Sequence, residues 1–407
     1  MKIIFTIHQF FPRHYTGTER YLLNLAKMMI NFGHEVKIVT YMPYIIEGDD
    51  LVYHNNLAIK EYTYENIPVV ALHFKGNEDY ISFDFQNDTI QQFFDKFLEK
   101  EKPDLLHIAH SMRMTSAFWA AKKRKIKTVM TLTDYWIMCG KGTLIRNNET
   151  PCMSPKNGHN CQRYCYSHLE LGRLRKRIDQ GRQMFRQADG IIASAEFLIK
   201  LYELNQYDVT KMHLIRHGFN YFDHFQSISQ QKSETFTFSC LGSLLPHKGV
   251  HLLIPAFRQL AMKQARLRIY GEPFLPEYLK YLQELKGDDM RITFEGKYSL
   301  ADTAHIHQIS DVVAQPSVWY ETYPLIGLTA LAYGVPLIVP DTTGASELVT
   351  PGQNGYIFKF NDVNSLANTL KQAIKDNLKL TKNIFYTHTV EEEAYLTQAV
   401  YRSIMEQ

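Results

Sequence analysis

Residues 291–358 read RITFEGKYSLADTAHIHQISDVVAQPSVWYETYPLIGLTALAYGVPLIVPDTTGASELVTPGQNGYIF. Two apolar runs in this stretch, Val312–Ala314 and Val335–Val339, bracket a predicted helix that opens near Pro324. Proline suits a first helical turn, where its missing N–H costs nothing. A lone carboxylate, Glu321, stands in the loop just before that helix. A helix start presents unpaired N–H groups and the positive end of a dipole, a fitting seat for a diphosphate. An acidic side chain beside it can hold sugar hydroxyls. The pairing points to a sugar nucleotide.

Outward from this stretch, strand and helix patterns alternate over the whole chain. Lys2–His8 reads as a buried strand. Thr18–Phe32 follows with Leu22, Leu25, Ala26, Met29 and Ile30 at helical spacing, closed by Gly33. Val36–Thr40 is the next strand, and the alternation continues through Val69–Phe74, Ile90–Glu99, Leu105–Ile108, Thr115–Lys123, Thr128–Leu132, Leu169–Gln187 and Gly190–Ser194. Such alternation implies βαβ units and parallel sheets. The polar segment Arg216–Glu234, ending in SISQQKSE, is the best linker candidate. A second series starts at Thr235–Leu241, and Val363–Lys375 and Glu391–Met405 read as closing helices. At 407 residues, two α/β domains are the default.

A net charge of +3 argues against a dedicated nucleic-acid binder. The 25 Tyr and 24 Phe suit sugar and nucleobase stacking, although core packing is the commoner use of aromatics. The start, MKIIFTIHQFFPRHYTG, lacks the apolar length and cleavage pattern of a signal peptide. No stretch approaches 18 uninterrupted apolar residues. The expected location is the cytoplasm, with the inner face of the membrane open to it.

The residues that can carry chemistry follow predicted strands, where open α/β sheets bind ligands. Tyr15-Thr16-Gly17-Thr18-Glu19 opens the first helix. Gly17 permits close backbone approach, and Thr16 or Thr18 also reads as an ordinary N-cap. His107 and His110 close the run LLHIAH, and a single histidine is more often structural than functional. Asp134 ends the next strand in TDYW, where a turn or cap is an equal alternative. In the second series, Gly242-Ser243-Leu244-Leu245-Pro246-His247-Lys248-Gly249 offers a compact ammonium suited to a diphosphate. Gly271 and Gly296 end further strands.

Taken together, these motifs resemble the retaining glycosyltransferases of family 4, over nearly the whole chain. That family's signature is an acidic residue, then seven others, then a glutamate; Glu321 matches the first position, and Thr329 stands at the second. Ser243 stands where the family commonly has an arginine, Thr16 where it has a glycine, and Thr133 where it often has a histidine. The resemblance implies the GT-B architecture: two Rossmann-like, doubly wound parallel-sheet domains facing a cleft. Residues 1–217 would bind the acceptor and 218–390 the nucleotide-sugar, with a helix over 391–407 returning to the first domain. Glu321 and His110 would hold the donor sugar, Lys248 the diphosphate with His247 as a candidate second cation, and Asp134 the acceptor hydroxyl. Gly17, Thr18, Ser243, Gly271, Gly296, Tyr323, Pro324, Leu325, Ile326 and Thr329 would line the donor. The implied partners are a nucleoside-diphosphate sugar and a sugar, glycan or lipid-linked acceptor, as in surface polysaccharide assembly, with no divalent metal required. A non-catalytic binding subunit, an epimerase and a phosphorylase of the same architecture are the competing readings.

Four of the five cysteines, Cys139, Cys152, Cys161 and Cys165, cluster in an insertion over 139–165, three of them in a loop rich in Pro, Gly and Asn. Their spacing leaves a structural zinc and free thiols open. Two basic runs, Lys122-Lys123-Arg124-Lys125 and Arg173–Arg177, read as solvated faces or as a patch for anionic lipid.

Overall fold

The computed structural model describes residues 1–43, 51–76, 82–220, 235–376 and 385–407. The chain divides into two compact units, Met1–Gly218 with Val390–Gln407, and Phe219–Thr389. Of the expected linker, 221–234 lies outside the described residues, while its start is anchored: Glu393 accepts hydrogen bonds from the His217 ring (2.8 Å) and the Gly218 N–H (2.7 Å).

The first unit runs β1 (Lys2–Ile7), α1 (Gly17–Asn31), β2 (Glu35–Tyr41), β3 (Val52–His54), β4 (Leu57–Tyr64), β5 (Ile67–Phe74), α2 (Asp88–Glu101), β6 (Leu105–Ile108), α3 (Thr115–Lys123), β7 (Lys127–Leu132), α4 (His159–Tyr164), α5 (Leu171–Gln187), β8 (Gly190–Ala193), α6 (Glu196–Leu204) and β9 (Met212–Leu214). Its nine strands stand in the order β3-β4-β5-β2-β1-β6-β7-β8-β9. β1 lies between β2 and β6, parallel to both, so the winding reverses there. The interior strands β6 and β8 are buried along their whole length, as strands covered on both faces must be.

One edge departs from the all-parallel expectation. β3 and β4 form a hairpin, and β4 pairs antiparallel with β5. The β4–β5 turn is Glu65-Asn66, both left-handed (φ 46° and 66°), the geometry of a two-residue hairpin whose twist matches its strands.

The second unit runs β10 (Phe236–Leu241), α7 (Val250–Arg258), β11 (Ala265–Tyr270), α8 (Pro276–Lys286), β12 (Ile292–Gly296), α9 (Thr303–Gln308), β13 (Val312–Ala314), α10 (Leu325–Ala332), β14 (Leu337–Pro340), β15 (Gly355–Phe358) and α11 (Val363–Lys375). Its sheet order is β12-β11-β10-β13-β14-β15, parallel throughout. The reversal lies between β10 and β13. Phe238, Leu253, Phe257, Ile269, Val312 and Leu366 join one core around this sheet.

The last helix, α12 (Val390–Met405), packs in the first unit. Ala394, Val400, Tyr401 and Ile404 enter the core formed by Ile3, Phe5, Leu22 and Met29. Tyr401 also hydrogen-bonds the fully buried His107, whose other ring nitrogen meets Thr131 Oγ1 at 2.8 Å. His107 is therefore a core residue. No helix among the described residues is long and apolar enough to cross a membrane.

Candidate functional site

Each unit gathers polar side chains at the carboxyl ends of the strands flanking its reversal, where an open α/β sheet leaves a crevice. In the second unit these are the turn after β10 and the loop after β13. The two are locked together by close backbone approach. Gly249 has φ +73°, and a Cβ there would stand 1.9 Å from the Pro316 carbonyl oxygen. The Val318 N–H donates to the His247 carbonyl at 2.9 Å. Gly271 approaches the Gly242 carbonyl as tightly (1.8 Å from an added Cβ), and its N–H donates to the Gly296 carbonyl. Gly344 does the same below Glu321: its N–H donates to the Glu321 carbonyl at 2.8 Å, and a Cβ would meet the Thr322 carbonyl at 1.8 Å.

This frame brings Lys248 onto Glu321, with Nζ to Oε1 at 2.8 Å. Ser317 donates to the same oxygen at 2.7 Å. The ammonium also lies over the Trp319 ring, 5.1 Å from its centroid. The Glu321 side chain is 7% exposed and that of Lys248 26%. An ammonium has three N–H donors, so one on Glu321 leaves two for a ligand. Burial by itself pushes the Glu321 carboxyl up, but the Lys248 charge, its hydrogen bond and that of Ser317 outweigh burial and hold the group below its ordinary 4.5.

The sign of the pH effect follows. A carboxyl whose folded value is depressed contributes stability that is complete above 4.5 and is lost as pH falls through the folded value. The difference in urea midpoint between the parent and Glu321→Gln should therefore be constant at neutral pH and shrink in acid below 4.5. A gap that stays constant into acid counts against the ion pair.

His247 corrects the sequence reading. Burial first, then the Lys248 charge, lower its pKa to about 4, despite Glu321. At neutral pH the ring is uncharged, packed edge-on against Trp319 at 5.6 Å, and supplies no second cation. Pro324 is the N-cap of α10, one residue before the helix, with extended backbone. Leu325 and Ile326 form the first turn and are partly exposed, while Tyr323 is buried with its hydroxyl 3.3 Å from that of Tyr386. Thr329 lies one turn on, and its hydroxyl is committed to the Leu325 carbonyl at 2.7 Å. Ser243 follows β10 half-buried, and Gly296 (φ +79°) closes β12 in open space.

In the first unit the polar cluster spans β1, β6 and β7. Asp134 Oδ2 meets His110 Nε2 at 3.1 Å, and Asp134 Oδ1 accepts from the Trp136 N–H at 2.9 Å. The Met112 N–H donates to His110 Nδ1 at 3.2 Å, so the ring proton sits on Nε2 and points at Asp134. Gly142 (φ +72°) closes over the carboxylate, with an added Cβ 2.6 Å from Oδ2. The sequence reading gave no role to His8, whose ring stacks on His110 with centroids 3.7 Å apart, and quoted Glu19 only within the motif opening α1; Glu19 is buried, 3.9 Å from His8 Nε2. Burial, then His110, Arg113 and His14, push His8 well below its ordinary pKa. The same causes work against an ion pair between His8 and Glu19. Their nearness had no sequence signal beyond their places after β1 and in the first turn of α1. Gly17 and Thr18 are the first two residues of α1, capped by Thr16, whose hydroxyl donates to Glu19 at 2.6 Å.

The four inserted cysteines line one small cavity. Burial raises the thiols of Cys139, Cys165 and, to about 12, Cys161. Among the described residues no three His, Cys, Asp or Glu side chains stand as a ready-made metal group. The basic runs are largely partnered. Lys122 meets Asp189 at 3.0 Å, Lys123 and Arg124 meet Asp95, Arg173 meets Asp84 at 3.0 Å, and Arg177 is buried. The cationic face read for lipid contact is smaller than the sequence suggests.

The model described as Glycosyltransferase Family 4 matches residues 15–221, and that described as Glycosyl transferases group 1 matches residues 222–388. An uncharacterized glycosyltransferase of Methanocaldococcus jannaschii is 27% identical over 176 residues, 41% of this chain and 44% of that protein. The GDP-mannose-dependent alpha-(1-6)-phosphatidylinositol monomannoside mannosyltransferase of Mycobacterium tuberculosis is 28% identical over 149 residues, 34% of this chain and 38% of that protein. The matched stretch thus spans less than half the length of either relative. Among solved structures, sucrose-phosphate synthase from Thermosynechococcus elongatus shares the fold, with a TM-score of 0.76 at 16% identity over 100% of this chain and 99% of that one.

Proposed function

The chain belongs to glycosyltransferase family 4 and is a glycosyltransferase of GT-B fold, and from that premise we propose that its donor is a nucleoside-diphosphate sugar, that it retains the anomeric configuration, and that its acceptor is a hydroxyl of a growing surface glycan. The observation that carries the donor assignment is the Lys248–Glu321 pair, its carboxylate buried and its ammonium half-buried, at the reversal of the second sheet. Lys248 would keep one hydrogen bond to Glu321 and turn its other donors to the diphosphate. The unpaired N–H groups of the first turn of α10 would meet the same anion. Glu321, held by Ser317 and Lys248, would accept from sugar hydroxyls. The anomeric C–O bond to the diphosphate breaks, a C–O bond to the acceptor forms on the same face, and the acceptor's proton leaves on the departing diphosphate. Cation and dipole oppose the charge that develops on that leaving group. Asp134 would accept from the acceptor hydroxyl, and His110 would hold the donor sugar. The dependence of the mycobacterial relative on GDP-mannose, stated in its name, supports a nucleotide donor, and the lipid-linked mannoside in that name supports a glycan acceptor.

A melting-temperature screen over UDP-, GDP- and ADP-sugars tests the donor, since a ligand bound to the native state stabilises it by mass action. One nucleotide series should raise the melting point, and free nucleoside diphosphate should then appear only when an acceptor is added. No shift with any series removes the donor assignment. An inverted anomeric coupling in the product's NMR spectrum removes retention.

Thr329 gives a sharper check. Its hydroxyl already serves Leu325, so Thr329→Ala should leave nucleotide affinity unchanged. Thr329→Glu places a carboxylate where the resembled family holds the ribose and should tighten binding about tenfold, roughly 1.4 kcal/mol. Loss of affinity in Thr329→Ala would show the hydroxyl to be a ligand after all.

A further inference from the structure

The loop between β7 and α5 carries little regular structure beyond its buried start at Tyr135–Met138. Its regular structure is one bridge, Ile145 to Pro151, a single turn at Lys156–Gly158 and the short helix α4. Long loops without a core of their own are usually anchored by something else or are mobile. Here Cys139, Cys152, Cys161 and Cys165 come from four points of the loop to line one small cavity, shared with Leu144, Pro155 and Tyr166 among others, without yet standing as a formed metal group.

A second observation is independent of the sulfurs. Arg177 is 4% exposed. Its guanidinium donates to the carbonyls of Phe83, Ile137 and Trp136 and lies 4.6 Å from the Trp136 ring centroid. No carboxylate among the described residues pairs with it. A buried cation without a counter-charge is costly. Its electrostatic neighbours include Cys139 and Cys161. Two more cations, Lys141 and Arg146, face Cys165, and the buried Nε of Arg146 has no hydrogen-bond partner. Three cations, Arg177, Lys141 and Arg146, therefore face the thiol cluster, and no carboxylate among the described residues forms an ion pair with any of them.

We propose that Cys139, Cys152, Cys161 and Cys165 bind one zinc ion as a tetrathiolate, and that Arg177 is the buried cation balancing it. Binding releases four protons to solvent, the ion sheds its waters, and four Zn–S bonds form. Four thiolates and a dication leave a net charge of about −2, which Arg177, Lys141 and Arg146 complement. Thiols without an ion have no attraction to draw them together, and the Cys152 thiol points at the Ser154 carbonyl, 3.3 Å away. An ion at the usual Zn–S length of about 2.3 Å would draw all four inward and tie the loop at four points.

The test uses the whole chain. Protein purified without chelator should contain one zinc per molecule by atomic emission. Titration with a mercurial should release that zinc as four thiols react, and replacement by cobalt should give the thiolate charge-transfer and tetrahedral absorption bands. Cys161→Ser/Cys165→Ser should lose the zinc and melt lower. Cys240→Ser, in the core of the second unit, should keep it. Protein that holds no zinc and takes none up from zinc chloride overturns the proposal. So does full zinc in the double variant, or a single free thiol in the denatured parent, which would mean disulfides. Should the double variant fail to fold, the zinc content, mercurial release and cobalt spectrum of the parent still decide.

Discussion

Lys248→Ala and Glu321→Ala should each lower transfer by on the order of 10²–10³-fold, the usual loss when one preorganised group opposing transition-state charge is removed. Their effects on stability should differ. In Glu321→Ala the orphaned ammonium is 26% exposed on a flexible stem and can turn to water. In Lys248→Ala the orphaned carboxylate is 7% exposed, with Ser317 still donating to it at 2.7 Å. Removing the partner of a buried charge costs about 3–5 kcal/mol, and the Ser317 bond places Lys248→Ala at the low end, about 3 kcal/mol. The double variant should therefore be more stable than Lys248→Ala alone, a positive coupling that a double-mutant cycle in urea measures directly. Full turnover in either single variant removes the catalytic assignment. Equal destabilisation in both removes the account of which charge is buried.

The alternation of strands and helices was legible because parallel strands covered on both faces read as continuous apolar runs. Lys2–Ile7 and Leu105–Ile108 are of this kind, and their bounds fall within a residue or two of the reading. The β4–β5 hairpin was not legible. It lies next to a sheet edge, Glu61 and Thr63 face solvent, and its turn residues are Glu65-Asn66 rather than a glycine pair. At the site, Lys248 and Glu321 were each readable from their neighbours, but not their contact. That depends on Gly249 meeting the Pro316 carbonyl, a steric event between loops far apart in the chain. Ser317 and Trp319 were missed for the same reason. His247 was misread because charge depends on burial, and periodicity gives no burial for a loop. The committed hydroxyl of Thr329 was hidden likewise: only once α10 is placed does the Leu325 carbonyl come within reach.

Gly249→Ala should have the largest effect of any single methyl group in the second unit. Two costs act together there. At φ +73° an L-residue is strained, by about 1–2 kcal/mol. An added Cβ would also stand 1.9 Å from a backbone oxygen, which no rotamer change relieves. The turn or the loop after β13 must move, and either motion separates Lys248 from Glu321. Gly296→Ala separates the two costs: its φ is +79°, but nothing lies within 4 Å of the added atom. It should show the strain alone, and transfer should persist. Gly344→Ala is the converse, with a Cβ 1.8 Å from the Thr322 carbonyl and no positive φ. The expected order of destabilisation is Gly249→Ala first, Gly344→Ala next and Gly296→Ala last, with donor-induced stabilisation lost in the first two and kept in the third. If Gly296→Ala matched Gly249→Ala in both readouts, backbone strain would explain everything, and the close approach of the two loops would not be what seats the lysine on the glutamate.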